Sequence, residues 1–107
     1  MNEAVDAYKS RALRPMVSEL APADRAYLHT MAQVLDHDRV AHSADIAQVL
    51  GKGTKQLSPV RGRLLRNGMV LAPSRGELVF AVPYLADYML SSPEPSTEVA
   101  RVRAWRV

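Results

Sequence analysis

The chain is 107 residues long, 48% apolar and 23% charged, with a formal charge of +3 and a pI near 9.6. That length supports one domain with one modest core, in a composition ordinary for a globular protein. The lack of cysteine excludes disulfides, thiolate metal sites and cysteine nucleophiles and fits a cytoplasmic protein; no run is long and apolar enough to cross a bilayer, and the acidic residues 1–6 carry no apolar signal core.

In chain order, residues 2–20 have helical composition, with Ala4, Val5, Tyr8, Ala12 and Leu13 on one side. Pro15 is expected to end or kink this helix near residues 12–14. Pro22 and Asp24 open a second helix, where both residue types are favourable. Tyr27, Leu28, Met31, Ala32, Val34 and Leu35 form its apolar stripe. Asp36, His37 and Asp38 make a polar break, and residues 39–41 read as a short strand. Ser43 is the expected N-cap of a third helix, with Ile46, Ala47, Val49 and Leu50 on its buried side and Gly51 as its stop.

A fourth helix ends at Gly68. Its start is ambiguous: Ser58 and Pro59 read as N-cap and first residue, but Leu57 continues the apolar stripe and favours a start near Gln56. Two β-prone runs follow, residues 69–73 and 77–82, separated by Ser74, Arg75 and Gly76. Residues 84–90 form a last helix. Residues 91–96, with Pro93 and Pro95, read as a linker. The tail 97–107 is open between helix and strand: Val99, Val102 and Trp105 recur every three residues, while Arg101, Arg103 and Trp105 alternate. The order predicts a mainly α fold with a small β-hairpin, a winged helix-turn-helix over residues 21–90 with an extra helix at each end. The strand at 39–41 is expected to join the hairpin as a third strand.

Charge is concentrated. Residues 46–76 contain no acid but hold Lys52, Lys55, Arg61, Arg63, Arg66 and Arg75, the electrostatic footprint of a polyanion partner. At about 100° per residue, Leu57, Val60 and Leu64 point inward from the fourth helix and Leu65 lies beside them. Lys55, Pro59, Gly62 and Arg66 point outward, flanked by Gln56, Ser58 and Arg63. Gly62 costs roughly 1 kcal/mol against alanine, and either a close DNA approach or a tolerated surface glycine accounts for it. Arg61 falls toward the apolar side, where a structural role is expected, its guanidinium pairing with a carboxylate or helix-end carbonyls. Arg63 and Arg66 are candidates for either guanine or phosphate contacts. Lys52, Thr54 and Lys55 lie at the helix entrance, where backbone amides favour phosphate, and Arg75 at the wing tip suits the minor groove or the backbone. The expected DNA-binding set is therefore Lys52, Thr54, Lys55, Gln56, Ser58, Arg63, Arg66 and Arg75.

No catalytic constellation competes with this reading. Residues 51–55 lack the spacing of a nucleotide loop and follow a helix, not a strand. His29, His37 and His42 lack a metal-ligand spacing, and His37 with its flanking aspartates reads as a solvated turn. No enzyme activity, cofactor or metal is expected.

Leu57-Ser58-Pro59-Val60-Arg61-Gly62-Arg63-Leu64-Leu65-Arg66-Asn67-Gly68-Met69-Val70, continuing into Leu78-Val79-Phe80-Ala81-Val82-Pro83-Tyr84-Leu85-Ala86-Asp87-Tyr88, resembles the C-terminal winged-helix domain of bacterial and archaeal AAA-type ATPases of the origin-recognition-initiator group. The resemblance covers roughly residues 20–90. It implies a DNA-contacting helix at residues 56–67 and a wing at 73–77. It also implies either an excised C-terminal domain, with residues 2–14 as the end of the ATPase lid, or a free-standing relative, and hence an ATPase module as partner in cis or in trans. No Walker motif is present, so ATP-binding chemistry is not carried over. The expected function is double-stranded DNA binding. The alternative is a protein-interaction module, or a homodimer, using the terminal helices or tail through Tyr8, Leu13, Val99, Val102 and Trp105.

Overall fold

The computed structural model describes residues 9–91. A π-helical turn, Lys9–Leu13, runs into α1 (Arg14–Ser18). Then come α2 (Pro22–Gln33), β1 (Ala41–His42), α3 (Ser43–Leu50), α4 (Thr54–Arg66), β2 (Val70–Leu71), β3 (Glu77–Phe80) and α5 (Leu85–Ser91). Among the described residues the fold is mainly helical with one antiparallel three-stranded sheet, in the order β1-β3-β2, compatible with a winged helix. The strand between the second and third helices does join the hairpin, with Ala41 opposite Leu78 and His42 opposite Glu77.

One core holds these elements together. Tyr27, Leu28 and Met31 of α2 meet Ile46 of α3, Leu64 of α4, Leu78 of β3, and Leu85 and Met89 of α5. Leu57, Val60 and Leu64 are buried along α4, as its period requires, with Leu65 partly covered. Leu13, expected as a free apolar residue for a partner, is fully buried in this core. Val49, expected inside, is exposed, because α3 packs through Ile46, Ala47 and in part Leu50, and Val49 lies about 100° off the centre of that face. Tyr8, Val99, Val102 and Trp105 lie outside the described residues.

The first helix breaks where Pro15 predicts: the π-helical turn ends at Leu13 and α1 begins at Arg14, with Pro15 in its first turn, where a missing N–H costs little. Three local expectations are corrected. The third strand begins at Ala41 and not at Arg39, because Arg39 is left-handed (φ 67°) and cannot start a strand. Ser43 is not the N-cap of α3 but its first residue. The cap is His42, and the Ser43 N–H donates to the Gly76 carbonyl at 2.9 Å, tying α3 to the hairpin. α4 starts at Thr54, two residues before the expected Gln56, because Gln56 Oε1 turns back to accept the Gly53 N–H at 2.9 Å.

Asp36 organises the turn before β1. Its Oδ1 accepts from the N–H of Asp38 at 2.9 Å and of Val40 at 3.0 Å. The Val40 N–H holds the carboxyl below its usual value of 3.8, with smaller help from the Asp38 N–H, His37 and His42. A depressed folded pKa contributes stability that is present above 3.8 and lost as pH falls through the folded value. Asp36→Asn keeps an acceptor but removes the titration. Its melting temperature should therefore fall less than that of the wild type when melts at neutral pH are compared with melts below pH 3.8.

Candidate functional site

The outer face of α4 divides into two flanks. On one flank, Arg63 reaches α2. Its Nη2 donates to Asp24 Oδ1 at 2.7 Å and its Nε to Asp24 Oδ2 at 3.1 Å. Asp24 is 4% exposed, in the first turn of α2, so this bidentate pair joins two helices over a nearly buried carboxylate. The hydrogen bonds from Arg63, then the aspartate charge, raise the arginine's pKa further. Arg63 is thus committed to the fold. The structural role expected of Arg61 belongs to Arg63, two residues on and about 200° around the helix.

Arg61 lies on the opposite flank. It lines an open groove of about 620 Å³ between α4, the start of α3 and the hairpin. The groove also takes in Thr54, Lys55 and Ser58 from α4, His42 and Ser43 at the start of α3, and Arg75 and Gly76 from the wing. Gly76 is left-handed (φ 77°), which lets the hairpin close behind Arg75 through a Glu77 N–H to Ser74 carbonyl bond of 3.0 Å. None of the lining residues is acidic. Lys55, Arg61 and Arg75 form no ion pair among the described residues. The buried Tyr27 hydroxyl borders the groove. Burial pushes its pKa up, opposed by the Arg61 charge and by the nearby Ser43 hydroxyl, whose Oγ is buried without a hydrogen bond of normal geometry. Two helix starts and three cations therefore converge on one concave, acid-free surface, an arrangement that can hold anionic oxygens by charge and by hydroxyl and amide donors.

Of the residues expected to bind, the structure brings together Thr54, Lys55, Ser58 and Arg75. Lys52 is exposed just past α3, its N–H donating to the Ala47 carbonyl, outside the groove lining. Gln56 is occupied in capping. Arg66 folds back over Gly62, its Nη1 lying 3.1 Å from where a Cβ at Gly62 would stand. That geometry favours a tolerated glycine over a site of close approach. Gly62→Ala should raise stability by about 0.5–1 kcal/mol in a thermal melt, because the flexible end of Arg66 can swing aside and the helix gains a better former.

The missed members are Arg61 and His42. His42 Nε2 lies 3.7 Å from Asp36 Oδ2, and it reaches the groove because it ends β1 beside the α3 start. Among the described residues no three of His, Cys, Asp or Glu cluster as metal ligands, and no helix is long and apolar enough to cross a membrane.

No curated protein and no solved structure matches this chain. A family model described as "Domain of unknown function (DUF8462)" does, over residues 10–89, a span that takes in the core, the groove and most of both flanking helices. By that match the chain belongs to this family.

Proposed function

We propose that the domain binds double-stranded DNA, with the phosphate backbone held in the groove between α4, the α3 start and the wing. The observation that carries this reading is the convergence of Lys55, Arg61 and Arg75, free of acids, beside the Thr54 and Ser58 hydroxyls. Phosphate contact needs such donors but no base-reading geometry, so the binding is electrostatic first. The basic run 46–76 adds Lys52 and Arg66 near the same helix. The resemblance to ATPase winged-helix domains adds an ATPase module, in cis or in trans, as the kind of machine such a domain would serve. The interaction-module reading loses Leu13, which the core consumes.

Titration of a fluorescently labelled duplex over a salt series tests the proposal. Three phosphate contacts predict a slope of about −3 in log affinity against log salt. An absence of binding at low salt, with the melt showing a folded domain, would overturn it.

A further inference from the structure

His42 stands where the cationic groove meets the acidic turn before β1. Strand alternation puts it there. Ala41 is fully buried opposite Leu78, so His42, one residue on, lies on the outer face opposite Glu77. That face opens on the groove, which His42 lines together with Lys55, Arg61 and Arg75. From the preceding turn, Asp36 Oδ2 comes within 3.7 Å of His42 Nε2. The N–H groups of Asp38 and Val40 hold Asp36 Oδ1, which fixes the carboxylate and leaves Oδ2 to the histidine. Both side chains are partly exposed, so a proton reaches the ring without unfolding. Asp45, exposed in the first turn of α3, lies three residues further along the chain.

Histidine is the side chain whose ordinary titration falls between about pH 5 and 8. Over that range Asp36, held below 3.8, stays a carboxylate, and Tyr27, pushed above 10.0, stays neutral. With the His42 ring neutral, the Asp36 charge stands uncompensated at the rim of the groove and repels a phosphate. With the ring protonated, the pair cancels that charge, and the ring gains a second N–H donor beside the three cations. A phosphate in turn neutralises the cations that oppose a proton on His42. Proton and phosphate therefore favour each other, as any two coupled ligands do reciprocally. We infer that His42 is a fourth phosphate-binding residue of the groove, engaged when protonated, so that duplex affinity rises as pH falls. The inference rests on the nucleic-acid reading of the groove and names the regulation of that same site.

Duplex titrations of the full chain at about pH 8 and about pH 5.5 test it, each over a salt series and beside a thermal melt. The wild type should bind at least about fivefold more tightly at the lower pH. Its salt slope should steepen there by about 0.9, the share of one more phosphate. His42→Gln should match the wild type at the higher pH and lose most of the response. His42→Lys, cationic throughout, should hold the tighter affinity at both pH values. His29→Gln and His37→Gln should keep the wild-type response, because neither residue lines the groove. Equal wild-type affinity at the two pH values, with the domain folded, would overturn the inference and leave the nucleic-acid reading standing. A response that survives in full in His42→Gln would do the same. No binding at either pH at low salt would overturn both.

Discussion

Arg61→Glu/Arg75→Glu should lower duplex affinity by at least about a hundredfold at low salt, and the salt slope should flatten by roughly two, near 0.9 for each phosphate that is no longer neutralised. Each reversal replaces an attraction by a repulsion in a groove that has no acid of its own to absorb the change. Neither arginine forms an ion pair among the described residues, so the melting temperature should stay near that of the wild type. Fluorescence anisotropy beside a thermal melt reads both effects. Unchanged affinity would remove the groove from the binding surface. Loss of affinity together with loss of the fold would show that Arg61 is structural.

Arg63→Ala should behave the other way round. Asp24 would keep its nearly buried carboxylate but lose both of its arginine hydrogen bonds. The expected loss is about 5–15 °C in melting temperature, a scale set by leaving a buried polar group unpaired in a domain of this size. Adding Asp24→Ala should recover part of that loss, because the uncompensated charge is then gone. Duplex affinity, measured below the melting range, should change little. If Arg63→Ala melted like the wild type and bound DNA weakly, the two flanks of α4 would have to be exchanged.

These two arginines also show how far the sequence could be read. The stripe Leu57, Val60 and Leu64 predicts that α4 packs and which residues hold it, and the structure buries all three. The period does not say what lies beyond each edge of that stripe. Arg61 and Arg63 border it on opposite flanks, and only the placement of α2 against one side and the hairpin against the other assigns their roles. A carboxylate for one of them was legible in kind. That it would be Asp24, thirty-nine residues away, was not, since such a pairing depends on helix docking and not on spacing. Local backbone chemistry hid the remaining details. The Gln56 bond to Gly53 lengthens α4, and the Asp36 turn with left-handed Arg39 shortens β1. The hairpin was readable because Ser74-Arg75-Gly76 supplies a turn between two β-prone runs, and Gly76 does take the positive φ that the closure needs. The family match over residues 10–89 brackets the same core, but its description carries no function, so the ligand rests on the groove.

The central claim is that the α4–wing groove is where a nucleic acid sits. Adding a short duplex to the isotope-labelled chain and following its amide resonances tests this most directly. The predicted result is a set of shifts concentrated at Thr54, Lys55, Ser58, Arg61, Arg75 and Gly76, with Asp24 and Arg63 nearly still. Shifts centred instead on Leu35, Phe80 and Ala86, or none at saturating duplex, would contradict the account.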